Sequence, residues 1–276
     1  LSGPVFAAKL PPLFDLAQTL DCGQAFRWKQ SEENPGIWYG AAYGRVLYLR
    51  AAEDSLELSC SPEDLASVWQ DYFDLDEDYA RIRQELSGLS PVLKEAAAFA
   101  PGIRILRQEP WEALCSFIMS QNNNISRIKG LVGNFCRMFG EPIAGTDMYS
   151  FPTPQAAASL SEEDLAPLRS GYRAPYILDA ARKVAGGEID LRRVMDEPPG
   201  FGREELRKIK GVGPKVAECA LLYGFHKTEC FPLDVWMKRA MARLLPGMTP
   251  EDFGPNAGLA QQYIFHYSRM HPELFE

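Results

Sequence analysis

The chain has 276 residues, 46% of them hydrophobic, with a formal net charge of -8 and a pI near 5.1. That is enough apolar chain for a sizeable core in two or three subdomains. No apolar run could span a membrane and no secretory pattern opens the chain, so no membrane partner is expected; the acidic total has the wrong sign for a phosphate-rich partner.

The chain begins at Leu1 rather than methionine, so its natural start is expected upstream. Over residues 1–100, the aromatic and alternating runs at 36–40, 44–50 and 55–59 read as strands separated by turns. Ser61-Pro62-Glu63-Asp64 opens a helix, with proline and acids in its first turn. From about residue 101 helical periodicity dominates. It predicts helices over 111–119, 125–139, 154–159, 161–168, 174–185, 202–209, 215–223, 235–244 and 259–269, with short Gly/Pro-rich separators. The expected fold class is α+β: an N-terminal antiparallel β-sheet subdomain over 1–100, then a mostly α-helical body over 101–276. Within that body, a helix-hairpin-helix is expected at about 202–224 and an aspartate loop at 231–235.

Charge is unevenly placed. Residues 51–80 hold ten acids and no Lys or Arg, whereas residues 165–215 hold eleven bases against seven acids. A basic footprint is what phosphate binding requires, although solvated helix faces give the same pattern. The six cysteines (22, 60, 115, 136, 219 and 230) show no metal-ligand spacing and no disulfide framework. They read as reduced thiols of an intracellular protein.

The most informative stretch runs from Leu206 to Asp234. Gly211-Val212-Gly213 joins two helical segments, and glycine lets a backbone turn sharply or approach another closely. Amides at the start of the second helix can bind a phosphate, and Pro214 suits the first helical turn. The positive end of the helix dipole opposes an ammonium at Lys215, which suits the uncharged amine that a nucleophile needs. Cys219 shares the helix face of Lys215, as a small core residue, a lysine partner or a pocket wall. Asp234 precedes a helix and can cap it. Each residue has a bland reading alone: a steric glycine turn, a solvated lysine, an N-cap. The spacing of all of them favours chemistry on a DNA strand.

At this point the chain resembles the helix-hairpin-helix DNA glycosylases and, more closely, the 8-oxoguanine DNA glycosylase/lyases. Besides the hairpin, the resemblance is carried by Cys22-Gly23-Gln24-Ala25-Phe26-Arg27-Trp28, by residues 116–128 with Gln121-Asn122-Asn123-Asn124, by Gly171-Tyr172-Arg173-Ala174, and more loosely by residues 258–265. It implies an α+β fold and an enzyme that flips a damaged base out of double-stranded DNA containing an oxidised guanine. Lys215 would be the nucleophile that forms a Schiff base and Asp234 its electrostatic partner. Asn122, Arg127, Tyr172 and Arg173 would fill the gap and contact the estranged cytosine. The Gly23 carbonyl would read the proton that oxidation adds at N7, Gln261 the pairing edge, and Phe265 and Cys219 the faces of the base. Gly211, Val212 and Gly213 would hold a phosphate, with a monovalent cation on the loop carbonyls. No catalytic metal and no iron–sulfur cluster is implied, and a monomer is expected. The chain departs from the pattern at Trp236, where histidine is common, which puts one phosphate contact in doubt. Two other readings stand beside this one: a monofunctional alkyl-purine glycosylase, which would lack Lys215, and a non-catalytic hairpin module, which would need neither Lys215 nor Asp234.

Overall fold

The computed structural model describes residues 5–275. Five strands form one antiparallel sheet in the order β1-β5-β4-β3-β2, with β1 Phe6–Lys9, β2 Lys29–Gln30, β3 Trp38–Ala42, β4 Arg45–Ala51 and β5 Ser55–Leu58. The three expected strands are β3, β4 and β5. The two outer strands are short, and β1 pairs with β5 across more than forty residues of chain. Tyr43 and Gly44, at φ 51 and φ 68, make the two-residue turn between β3 and β4. A tyrosine is held in that backbone region by two bonds to the helical body: its N–H donates to Glu109 Oε2 at 3.1 Å and its hydroxyl to Arg107 O at 3.2 Å.

Period-two alternation turns Leu47, Leu49, Leu56 and Leu58 to one face, where all four are fully buried. Each contributes about 2 kcal/mol by leaving water. Trp28, Trp69, Tyr72 and Phe73 complete this core, and the Trp28 indole N–H donates to Tyr72 Oη at 2.7 Å. The segment opened by Ser61 is helical from Pro62 and contains a wide turn in which Gln70 N–H donates to Leu65 O.

The helical body is built on α1 Tyr79–Ser87, α2 Pro91–Phe99, α3 Pro110–Met119, α4 Ile125–Phe139, α5 Ala174–Ala185, α6 Pro199–Leu206, α7 Pro214–Gly224, α8 Val235–Leu244 and α9 Ala257–Met270. Helix α3 is buried on all sides from Trp111 to Met119, as a helix apolar all round must be. Helices α1 and α2 lie outside the sequence-based helix assignments, and they pack into the same core as α3 and α7. Helix α6 starts at Pro199, three residues ahead of expectation, because proline suits the first helical position. No helix among the described residues is long and apolar enough to cross a membrane.

Candidate active site

Helices α6 and α7 form the hairpin. Gly211 has φ 79, and a Cβ there would lie 2.2 Å from the Tyr176 ring, so glycine is required both by conformation and by packing. Gly213 differs from the expectation of a special backbone: its φ of -88 and ψ of -178 are ordinary extended values, and no atom would meet its Cβ within 4 Å. The amides of Gly211, Gly213, Lys215 and Val216 find no acceptor among the described residues. The Val212 N–H is spent on Ile209 O at 3.0 Å and its side chain is buried, so Val212 anchors the turn and its amide is not open to a phosphate. Of the eleven bases in 165–215, Lys183, Arg193, Arg203 and Lys208 pair with carboxylates. Arg207 and Lys210 stay exposed beside the hairpin without such a partner among the described residues, as do Arg169, Arg182 and Arg192 farther from the turn.

The stripe Lys215, Cys219 and Tyr223 on α7 faces a small pocket. Gly23, Asp234, Gln261 and Phe265 also line it, so six sequence-predicted site residues from four separate segments meet there. The Lys215 amine lies 5.6 Å from the centre of the Phe117 ring. Asp234 is the N-cap of α8: one carboxylate oxygen accepts from Met237 N–H at 2.7 Å, and the other has no partner among the described residues. Burial pushes the Cys219 thiol up to about 11 against the downward pull of Lys215. Burial likewise lifts Cys22 to about 12. These thiols are neutral walls beside the Lys215 amine and the Asp234 carboxyl. The cavity has a volume of about 60 Å³, and Lys215 and Asp234 are the charged side chains that line it.

Gly23 has φ 90, and its would-be Cβ sits 3.3 Å from Ile125 at the start of α4. Its carbonyl accepts no hydrogen bond among the described residues. The loop is stapled by Gln24, which is fully buried and donates to Arg104 O at 2.7 Å while accepting from Leu106 N–H at 3.0 Å. Lys129 on α4 pairs with Asp21 at 2.6 Å and holds the loop from the other side.

The second group lies at the turn before α4. Asn124 is the N-cap of α4 and Asn123 donates to Met119 O, so both serve the turn itself. Asn122 differs: it is exposed, has φ 48 and donates to Tyr172 Oη at 3.2 Å. Tyr172 is 47% exposed and packs edge-on against Tyr176 at 5.9 Å. Arg173 departs from an open guanidinium fork. It is buried, and it donates to the carbonyls of Gln121, Asn122 and Ser170, so it holds the turn. Arg127 stands exposed on the first turn of α4. Trp236 packs on Phe275 at 4.9 Å and donates to Ser268 Oγ at 2.9 Å, an inward role in place of a phosphate contact.

Sequence reasoning does not reach Phe117, Tyr223 or Gln262, which also line the pocket. Tyr223 was accessible as the next position on the Lys215–Cys219 stripe. Phe117 and Gln262 lie on helices so buried that pocket and core positions share one pattern. All six cysteines are buried and unpaired, and no group of three or more potential metal ligands occurs among the described residues.

A glycine hairpin, a lysine on its second helix and a helix-capping aspartate facing one pocket define a helix-hairpin-helix base-excision glycosylase. Residues 115–251 match the model of the HhH-GPD superfamily of base excision DNA repair proteins, and residues 8–114 that of the 8-oxoguanine DNA glycosylase N-terminal domain. The chain is 35% identical over 255 residues to the N-glycosylase/DNA lyase of Saccharomyces cerevisiae, covering 83% of this chain and 67% of that protein. Its fold matches MBOgg1, solved with a low affinity DNA ligand, with TM-score 0.92 at 41% identity over 99% of this chain and 98% of that one. It also matches the Clostridium acetobutylicum 8-oxoguanine glycosylase/lyase, solved with double-stranded DNA containing cytosine opposite 8-oxoguanine, with TM-score 0.87 at 36% identity over 94% and 93%. The chain belongs to the 8-oxoguanine DNA glycosylase family and is an N-glycosylase/DNA lyase of base excision repair.

Proposed function

We propose that the enzyme excises 8-oxoguanine from duplex DNA, preferably opposite cytosine, and then nicks the strand through a Schiff base on Lys215. The observation that carries this reading is the single pocket shared by Lys215, Asp234 and the unengaged Gly23 carbonyl. Oxidation turns N7 of guanine from an acceptor into a donor, and one free carbonyl distinguishes the two. Gln261 then takes the pairing edge while Phe265 and Cys219 cover the faces.

Lys215 Nζ, as a free amine, attacks C1′ while the glycosidic bond breaks. Its electron pair leaves with the base, which gains a proton. The unbonded oxygen of Asp234 stabilises positive charge as it develops on the sugar. Loss of an amine proton and opening of the C1′–O4′ bond give a protonated Schiff base and a 4′-hydroxyl. Removal of a C2′ proton then expels the 3′ phosphate, and water releases Lys215. Asn122 and Tyr172 occupy the gap left by the flipped base, braced by Arg173, with Arg127 reaching the orphaned cytosine. The free amides of Gly211 and Gly213 hold a phosphate. The carbonyls of Lys210 and Val212 accept no hydrogen bond among the described residues, so the turn offers the oxygen donors that a monovalent cation takes. The enzyme acts in this scheme as a monomer, at the genomic DNA of nucleoid or nucleus.

Borohydride trapping on duplex DNA with one 8-oxoguanine opposite cytosine tests the scheme. A covalent band is expected that requires the lesion and disappears in Lys215→Gln. A band of equal strength in Lys215→Gln removes Lys215 from the chemistry.

A further inference from the structure

Gln262 is adjacent to Gln261 on α9, is 2% exposed and lines the same pocket. Its Nε2 donates to the Tyr223 hydroxyl, and that hydroxyl donates in turn to Gln261 Oε1 at 3.4 Å. Tyr223 is itself fixed by stacking on Phe117, with ring centres 5.2 Å apart. The carboxamide is therefore held at one end. Its other end, Oε1, is buried without a hydrogen-bond partner among the described residues. A buried acceptor without a donor is costly, and such atoms in native structures call for a reason. Packing supplies none here, because methionine or leucine would fill the same volume without a polar atom.

We infer that Gln262 Oε1 is a base-reading acceptor that takes a hydrogen bond from the exocyclic 2-amino group of the flipped purine. This rests on the assignment of the pocket to 8-oxoguanine. That base presents three donor groups: N7–H, N1–H and the 2-amino group. Gly23 O takes the first, and Gln261, on the pairing edge, takes the second. The 2-amino group remains, and with the free oxygen of Asp234 assigned to the sugar, Gln262 Oε1 is a buried acceptor of the pocket residues that lacks a donor among the described residues. Tyr223 is then the positioning residue that sets both glutamines with one hydroxyl. Selectivity arises because a base lacking the amino group leaves Oε1 unpaired in a dry wall, and sites built to bond a polar group reject analogues that lack it.

The test uses single-turnover excision of 8-oxoguanine and of 8-oxohypoxanthine, which lacks only the 2-amino group, each opposite cytosine. Rates are normalised to each protein's own nicking of an abasic site, which presents no base. The unsubstituted enzyme is expected to favour 8-oxoguanine by about tenfold, the worth of one buried hydrogen bond. Gln262→Met should bring that ratio close to one by slowing 8-oxoguanine alone. Gln262→Glu, whose protonated carboxyl keeps a donor for Tyr223 and an acceptor for the base, should restore it. An unsubstituted enzyme that treats the two bases alike overturns the inference, as does a Gln262→Met enzyme slowed equally on both. Abasic-site nicking without excision of either base overturns the 8-oxoguanine assignment itself, and the inference with it.

Discussion

Asp234 serves two masters, and two substitutions separate them. Its carboxylate caps α8 through the 2.7 Å bond to Met237 N–H. Asparagine caps a helix about as well, so Asp234→Asn retains that bond and loses only the attraction of the charge to the helix dipole, about 0.5 kcal/mol. Asp234→Ala loses the cap as well, for about 1 kcal/mol more. Catalysis sorts the variants differently. On the proposed mechanism both remove the carboxylate that faces the sugar, and loss of one preorganised electrostatic group costs about 100- to 1,000-fold in rate. Urea unfolding should therefore place Asp234→Asn near the unsubstituted enzyme and Asp234→Ala clearly below it. Single-turnover excision should place both together, at least about 100-fold down. Excision by Asp234→Asn within a few-fold of the unsubstituted enzyme would refute the electrostatic role, and equal unfolding midpoints for the two variants would refute the capping account.

Two further perturbations follow from the same geometry. Gly211→Ala puts a Cβ into the Tyr176 ring at a left-handed φ, so it should destabilise by about 2–4 kcal/mol in urea unfolding and lower DNA affinity in parallel. Glu109, beside Tyr43 N–H and Glu112, is pushed up from 4.5 to about 7, first by burial and then by the Glu112 charge. The unfolded chain therefore loses this proton before the folded one, and the Glu109 contribution to stability falls as pH rises from 4.5 to 7 and is level above that. The ceiling is about 3 kcal/mol, so Glu109→Gln should gain up to that amount at pH 8 relative to its standing at pH 4.5, as read by urea midpoints.

Much of the fold was legible because its signals are local. Helices α4, α5 and α8 span the expected residues, and α4 and α8 open at Asn124 and Asp234, whose side chains cap them. Strand β1 was not legible: four residues with a partner at 55–58 carry no local pairing signal. Helices α1 and α2 do carry cap signals, at Asp78 and at Ser90 before Pro91, but their apolar faces are short. At the site, Lys215 and Asp234 stand in a compact motif and could be read. The state of Arg173 could not be, since whether a guanidinium is spent on carbonyls or left open depends on how the Asn122 turn folds back over it. Gln262 shows the same limit, because only the arrangement in space leaves its acceptor without a donor.

The two hairpin glycines make a final point about what the protein alone explains. Gly211 is accounted for from within, by Tyr176 and a left-handed backbone. Gly213 is not: its backbone is open to any residue and a Cβ would meet nothing within 4 Å. If the chain by itself dictated the sequence, position 213 would favour a side-chain cap for α7. On the proposed reading the missing constraint lies outside the protein, and the free amides of Gly213 and Lys215 suit an anion drawn close to the main chain. Gly213→Ala should therefore be nearly silent in the free protein. Reduced freedom of the unfolded chain and a poorer cap oppose each other, for a net change within about 1 kcal/mol. In the proposed complex the same methyl would stand where a phosphate oxygen lies. Anisotropy titration on a duplex with a non-cleavable abasic analogue should show at least about tenfold weaker binding, the worth of one charge-assisted hydrogen bond. Unchanged affinity would mean that no phosphate approaches this turn, and the hairpin would then have to be read as a steric joint between α6 and α7.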